Sequence, residues 1–382
     1  MPLPREGGRG RALLIVAATL WAGVVILTAA HKSGDLTPEL AQSERLLHGL
    51  PLYERNPSLG VWWPPLTAVM LVPFALIARA NPGVANGAWA ALGVACVVWS
   101  VRQAGHRPGG WTPALVGLLA VAKPLHNSFE HGQITAVLLA LVVAATVALE
   151  RARDAPAGVW IGLATAVKAF PGLLLPYLAL RRRWRALLAG CATAAGLTLA
   201  AMLPYGPLGA VRTAWEWFTL NTHATGVGEF RMQKLGRLVY DLGGPSFAVT
   251  AAAVALTAVV GWAVWKRRAL PGPMDAWYEA GVVTLVAVLI SPIGWFYYFG
   301  LLFPAWVAVL SRPTGSRWSP RRLGLVAAGL LTSGALSFVP IPTSLSFLGR
   351  NHDTWGALLL LGLLVGPPLV PKDAPTPEGP HA

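Results

Sequence analysis

Asp35 stands about five residues beyond the first apolar stretch, within Ser33-Gly34-Asp35-Leu36-Thr37-Pro38-Glu39. A carboxylate here could cap a helix, and a helix from Pro38 to His48 fits the pattern before Gly49. Thr37 followed by Pro38 already offers an N-cap with proline at the first helical position. That leaves Asp35 available as a proton acceptor, and the residues alone keep both readings open. Lys168 is the most informative single residue, because the nearest end of its apolar stretch is about twelve residues away. Snorkelling over that length is difficult, and a buried ammonium is costly unless paired or hydrated. A fixed cation of this kind suits a phosphate. Lys123, His126, Asn127 and Glu130 are spaced i, i+3, i+4, i+7 and share one helix face. In an apolar hairpin such a stripe faces protein or water, either lining a ligand or tying the bundle together through ion pairs. Arg231, Lys234 and Arg237, at i, i+3 and i+6, could hold an anionic group or form a solvated surface. Tyr53 could stack on a sugar or anchor at an interface. Trp63-Pro64-Pro65 reads on physics alone as structural, since proline restricts the residue before it to extended conformations. His223 and His352 are single histidines and read as polar surface. There is no HExxH, CxxC, Walker or GxSxG motif, so soluble-type hydrolase or ATPase chemistry has no support.

The elements that must position these groups follow from composition. Of 382 residues, 55% are apolar and only 12% charged, with 17 Trp and a mean hydropathy of +0.55. This excludes a disordered chain, a fibrous protein and a disulfide scaffold, and makes the chain a polytopic membrane protein. The net charge of +14 is distributed in short runs between apolar segments. Arg5/Arg9/Arg11, Arg102/Arg107, Arg151/Arg153, Arg181/Arg182/Arg183/Arg185, Lys266/Arg267/Arg268 and Arg312/Arg317/Arg321/Arg322 hold 18 of the 30 Lys and Arg. That is the positive-inside pattern, and no continuous basic face for nucleic acid is visible. Cys96 and Cys191 lie in apolar runs and imply neither a disulfide nor a metal site. Residues 13–30 read as a retained span rather than a signal peptide.

With the basic clusters as cytoplasmic anchors, span one (about 12–30) leads out and span two (about 84–101) returns. Residues 31–83 form a first outer loop, within which Pro64 to Ile77 reads as a half-embedded helix. Spans three and four make a hairpin with its outer turn at Glu130-His131-Gly132-Gln133. Residues 157–180 would place Arg151 and the Arg181 cluster on opposite sides if they crossed once. Two half-helices broken at Lys168-Ala169-Phe170-Pro171-Gly172 resolve this. Spans at about 186–204 and 246–265 flank a long outer loop, 205–245. Hairpins at about 276–311, turning at Ser291-Pro292-Ile293-Gly294-Trp295, and about 323–371 complete one domain over 1–371, followed by a disordered cytoplasmic tail, 372–382. The expected fold is all-α with about twelve transmembrane helices and both termini inside. Nine of the sixteen acids, including Asp35, Glu39, Glu44, Glu130 and Asp241, then fall outside, so the chemistry is expected in an outer-face cavity.

The order of these motifs carries a resemblance. An Asp soon after span one, an aromatic-Pro-Pro segment, a His-Gly-Gln turn, Ala157-Gly158-Val159-Trp160-Ile161-Gly162-Leu163-Ala164-Thr165-Ala166-Val167-Lys168, then Arg181-Arg182-Arg183-Trp184-Arg185 and a Ser-Pro-Ile-Gly-Trp tip together resemble the GT-C membrane glycosyltransferases. Within them the chain is most similar to glycosyltransferase family 87, the polyprenol-phosphate-dependent mannosyltransferases of bacterial cell envelopes. The resemblance covers most of residues 10–370 and implies a polyprenyl-phosphate sugar donor, a lipid or glycan acceptor and reaction at the outer face of the plasma membrane. It implies Asp35 as general base, Lys168 with Arg231 or Arg237 at the leaving phosphate, and Glu130, His131 and Gln133 lining the same cavity. Lys234, Tyr53 and Trp63 complete the expected substrate-binding set, and no cofactor, nucleotide or metal is called for. Two departures stand out: Phe296-Tyr297-Tyr298 where relatives often carry an acid or His, and Met232-Gln233-Lys234 where they often read Asn-Gln-Ser. The alternatives are a polyprenyl-phosphate arabinofuranosyltransferase or, outside enzymes, a lipid or anion transporter. Lys168 on a broken helix suits the transporter, but the absence of visible internal repeats weighs against it.

Overall fold

Proline, asparagine and glycine set the helix boundaries in the computed structural model, which describes residues 8–32, 34–53, 63–107, 109–222, 234–267, 275–291, 294–312, 319–338 and 349–366. Arg231, the Met232-Gln233 pair, His223, Pro292-Ile293 and the 372–382 tail lie outside the described residues. Helix α1 (Gly8–His31) is followed by the short α2 (Leu36–Leu47). α2 begins two residues before the expected start, with Asp35 itself in the N-cap position, yet no side-chain capping bond forms. Pro64 is extended (φ −61°, ψ 159°) and Pro65 opens α3 (Pro65–Ala80), the helix start that Trp63-Pro64-Pro65 predicts. A single extended residue, Asn81, ends α3 and caps α4 (Pro82–Gly105), its side chain accepting from the Val84 N–H at 3.2 Å. α4 returns antiparallel to α1: Gly83 and Gly87 lie against Ala30 and Ile26.

The expected third span is bent at Val121 into α5 (Trp111–Ala120) and α6 (Ala122–Glu130), and α7 (Thr135–Glu150) returns. α8 (Asp154–Val167) stops at Lys168, which is extended (φ −154°, ψ 128°). Pro171 has no N–H to give the Val167 carbonyl, so the helix cannot run on. A 3-10 turn (Phe170–Leu173) and α9 (Leu174–Leu180) lead back to the Arg181 cluster. α10 (Trp184–Ala200) then runs parallel to α8, since Gly158 packs on Ala186 and Gly162 on Gly190. Parallel packing requires 168–180 to travel back, and an ion pair of 2.7 Å between Asp154 and Arg183 brings the two basic segments to the same end. The break expected at Lys168 is therefore present.

Residues 206–222, expected to be loop, are helical instead: α11 (Gly206–Thr222) follows α10 at a bend of 49°. Hydrophobic spacing at Leu208, Val211, Trp215 and Phe218 supports a helix, and all four are exposed. The remaining helices are α12 (Leu235–Asp241), α13 (Ser246–Arg267), α14 (Ala276–Ile290), α15 (Phe303–Leu310), α16 (Pro320–Thr332) and α17 (His352–Val365). Every residue of α14 from Ala276 to Leu289 is buried, as is α15 from Phe303 to Val309, so these two helices and α7 form the centre. Gly281 allows the Ala305 backbone to approach it closely. Around this centre, α1, α4 and α13 turn Leu20, Val84, Val254 and Trp262 outward, an apolar belt that suits lipid rather than water.

The all-α expectation holds for the described residues. Among the described residues two helices, Pro82–Gly105 and Phe247–Lys266, are long and apolar enough to cross a membrane alone, and up to three if the bent α10–α11 pair is one span. Helices α3, α5, α7, α14 and α17 have 10–16 residues, and breaks at Val121 and in the 3-10 turn over Phe296–Leu302 divide segments that the sequence reads as whole spans. Helix length alone thus identifies two or three of the expected spans among the described residues. The bundle is nonetheless two-ended. The C-termini of α4 and α7 carry Arg107 and Glu150, joined with Asp275 and Arg312 by contacts of 3.3–3.4 Å. The N-terminus of α7 carries the residues described next.

Candidate active site

The site starts from a helix end. α6 closes with Gly132 at φ +62°; the Gln133 N–H bonds the Ser128 carbonyl at 2.8 Å and the Gly132 N–H bonds Phe129 at 3.1 Å. This is a Schellman termination, for which glycine supplies the left-handed residue. Asp35 docks on that turn through its main chain, its N–H donating to the His131 carbonyl at 2.9 Å. A Cβ on Gly34 would lie 2.7 Å from His131 backbone atoms, so only glycine permits the approach.

The Asp35 side chain is free of the helix end and receives two donors on one oxygen. Gln133 Nε2 donates to Oδ2 at 2.5 Å and the Tyr297 hydroxyl donates to the same oxygen at 3.4 Å. Among the described residues nothing donates to Oδ1. A carboxylate oriented through one oxygen, with the other open, is arranged to accept a proton. The His131 ring lies 6.0 Å from Phe296 and 6.1 Å from Tyr297, centroid to centroid.

Lys168, 7% exposed, is electrostatically coupled to Asp35 and Glu39. It forms no ion pair within 4.0 Å among the described residues. Its ammonium lies instead 5.5 Å from the Trp63 ring centroid and 5.6 Å from that of Tyr298, close enough for cation–π attraction. Phe170, two residues on, lies tilted against Tyr298, with ring centroids 5.1 Å apart. The broken helix thus delivers a cation, with its charge unneutralised at contact distance, to an aromatic wall. Tyr53 is buried rather than open for stacking on a sugar, and its hydroxyl donates to the Trp63 carbonyl at 3.0 Å, which fixes the indole beneath Lys168.

Asp35, His131, Gln133, Lys168, Trp63 and, behind them, Tyr53 are therefore brought together. Other candidates are engaged elsewhere. Glu130 pairs with Lys32 at 2.6 Å rather than with Lys123, and Lys32 holds its carboxylate below the ordinary range. Lys123 lies against Gly334. Arg237 pairs with Asp241 at 3.0 Å, and Asn351 donates to the same aspartate at 2.7 Å; Lys234 is the N-cap residue of α12 and is buried. A narrow crevice lined by Lys32, Trp89, Ser128, Glu130 and Gln133 adjoins the Asp35 turn. Among the described residues no group of three His, Cys, Asp or Glu is placed to share an ion.

Three residues of this cluster escape the sequence reading. Tyr297 and Tyr298 stand out there only as departures, yet one donates to Asp35 and the other faces Lys168. Glu39 reads as one of nine outer acids, but it is 3% exposed and coupled to both Lys168 and Asp35. Its spacing of four residues from Asp35 was the available signal.

Comparison with known proteins identifies the family. The model of Glycosyltransferase family 87 matches residues 62–292, well over half of the chain. A polyprenol-phosphate-mannose-dependent alpha-(1-2)-phosphatidylinositol mannoside mannosyltransferase of Mycolicibacterium smegmatis is 30% identical over 91% of this chain and 83% of the relative. Its counterpart of the same name in Mycobacterium tuberculosis is 27% identical over 88% and 85%. A phosphatidylinositol pentamannoside mannosyltransferase of M. smegmatis, also polyprenol-phosphate-mannose-dependent, is 27% identical over 75% and 68%. Family match and relatives agree: the chain is a membrane glycosyltransferase and belongs to glycosyltransferase family 87.

Proposed function

We propose that this enzyme transfers mannose from polyprenyl-phosphate mannose to a mannosylated phosphatidylinositol or a related lipid-linked glycan, at the outer face of the plasma membrane. The observation that carries the reading is the pairing of Asp35, oriented through Oδ2 by Gln133 and Tyr297, with the unpaired cation of Lys168. The relatives' names favour mannose as the sugar and a phosphatidylinositol mannoside as the acceptor. The outer face is favoured by the two ends of the bundle, since the site lies at the opposite end of α7 from Arg107 and its partners.

In this mechanism the acceptor hydroxyl approaches Asp35 Oδ1. Its oxygen forms a bond to the anomeric carbon of mannose as the bond from that carbon to the phosphate oxygen breaks, and its proton passes to Asp35. The phosphate leaves with one more negative charge than it had as a diester, and Lys168 stabilises that developing charge. Since the lysine supplies the positive charge, the reading needs no nucleotide and no divalent cation.

The test is a transfer assay in purified membranes with radiolabelled polyprenyl-phosphate mannose, with and without EDTA, wild type beside Asp35→Asn. Label should enter a lipid or glycan product with the wild type, with or without EDTA, and not with the variant. Turnover by Asp35→Asn would remove the general-base assignment. No transfer by the wild type, followed by transfer from a pentose donor, would replace mannose with arabinose.

A further inference from the structure

Glu39 and Gln42 follow Asp35 at i+4 and i+7 along α2, so the three share one helix face. Both are among the most enclosed polar side chains of the molecule, at 3% and 2% exposure. Burial of a carboxylate or a carboxamide is costly unless its polar atoms are hydrogen-bonded. Yet Glu39 Oε2 and Gln42 Nε2 have no hydrogen-bond partner among the described residues. Their neighbour Ser43 shows the ordinary solution, its hydroxyl donating to the Ala68 carbonyl at 2.8 Å. The surroundings of Glu39 are those of the site itself, for it is electrostatically coupled to Asp35, Lys168, Tyr53, Tyr297 and Tyr298. A simple counter-ion role for Lys168 would bring the two charges into contact, and no ion pair forms within 4.0 Å.

An unpartnered carboxylate oxygen and an unpartnered amide, next to aromatic rings, suit the chemistry of a sugar. Neighbouring hydroxyls can donate to the carboxylate, a hydroxyl oxygen can accept from the amide, and a ring face packs on C–H groups. We propose that Glu39 and Gln42 bind hydroxyls of the hexose being transferred and so select the donor sugar, while Asp35 handles the proton. This rests on the donor reading given above. An acceptor hexose offers the same hydroxyls, but the donor sugar lies one bond from the phosphate that Lys168 attracts, and Glu39 is coupled to that lysine.

The experiment measures donor binding to the full-length protein in detergent, without acceptor so that no turnover occurs. The probes are polyprenyl-phosphate mannose and its 2-, 3-, 4- and 6-deoxy analogues, each with wild type and Glu39→Gln. With the assay run at a pH high enough to ionise Glu39, loss of a hydrogen bond to its charged carboxylate weakens binding by about tenfold to a hundredfold. Glu39→Gln is expected to show that loss with the mannose donor. At least one deoxy analogue should bind wild type correspondingly worse and suffer no further loss in the variant. An unchanged affinity for the mannose donor, or an equal loss for all five probes, would overturn the proposal; the latter would make Glu39 a counter-ion of Lys168 only. A loss confined to the acceptor, read as a raised KM for acceptor with unchanged donor binding, would overturn the donor assignment. If Glu39→Gln is not monodisperse, the same cycle with Gln42→Ala decides, with a several-fold loss coupled to one hydroxyl expected. Failure of the wild type to bind polyprenyl-phosphate mannose at all would overturn the donor reading itself, and this proposal with it.

Discussion

Lys168→Met separates catalysis from stability more cleanly than any other change in this structure. The ammonium is almost fully enclosed, touches two aromatic rings at cation–π distance and has no ion-pair partner within 4.0 Å. A unit charge about 4–5 Å from a phosphate, at an effective dielectric of about 20, contributes about 3–4 kcal/mol. The donor's phosphate carries one negative charge while it is a diester and approaches two as its bond to mannose breaks. The attraction present with one charge supports donor binding, and the added charge is felt only towards the transition state. At about 1.4 kcal/mol per tenfold, loss of the cation should lower kcat by about a hundredfold to a thousandfold and weaken donor binding as well. Stability should move the other way or not at all, because replacing a buried charge with an apolar chain of similar volume is often neutral or favourable. The assay is steady-state transfer from labelled polyprenyl-phosphate mannose, paired with thermal unfolding of the same preparation followed by intrinsic tryptophan fluorescence. A kcat within tenfold of wild type would refute the phosphate role. A fall of many degrees in Tm alongside the loss would show that Lys168 serves the fold instead.

The two donors to Asp35 should differ in weight: Gln133→Leu is expected to reduce kcat about tenfold and Tyr297→Phe only a few-fold, in keeping with bonds of 2.5 and 3.4 Å. The transfer assay checks this, and the reverse order would contradict the geometry. Gly158→Leu should force α8 from α10, since even a Cβ there meets the Ala186 carbonyl. A cost of about 1–3 kcal/mol or more should appear as a lower Tm, and an unchanged Tm would refute the parallel packing. Burial, reinforced by Asp35 and opposed by Lys168, holds the Glu39 carboxyl well above its ordinary range. The folded state then binds that proton more tightly than the unfolded one. Its contribution is fully present below about pH 4.3 and is lost as pH rises through the folded value. Unfolding of wild type from about pH 5 to pH 8 should therefore carry a downward slope that Glu39→Gln lacks; equal slopes would show that Glu39 is ionised throughout.

The parts of the site legible in the sequence were those that announce themselves by being out of place. A lysine far inside an apolar run, a proline pair behind a tryptophan and a glycine after a short polar helix each break a pattern. Each break is where the structure gathers the candidate site residues. Glu39 breaks nothing, since an acid in an amphipathic helix reads as solvated surface. Only the assembled fold, which brings residues distant in sequence around α2, encloses it. Tyr297 and Tyr298 follow a turn whose apolar surroundings hide them, and their relation to Asp35 spans 262 residues of chain, which no local spacing reveals. α11 was missed for a related reason: glycines and a proline at its start read as loop, whereas its apolar spacing resumes just beyond them. Arg237 shows the opposite error, a cation that looked available and is engaged with Asp241 one turn away on the same helix.

The main-chain seat of Asp35 has a consequence for how such an enzyme could diversify. Its position depends on an amide, a carbonyl and two glycines, Gly34 and Gly132, and little on the identity of the side chains around it. Substitutions at Phe296, Tyr298 or Trp63 could reshape the surroundings of the Asp35 carboxylate while its backbone keeps its place. The wall is a fitting that can be exchanged ring by ring on a fixed mount, provided that replacements at Trp63 and Tyr298 still offer the Lys168 ammonium an aromatic face.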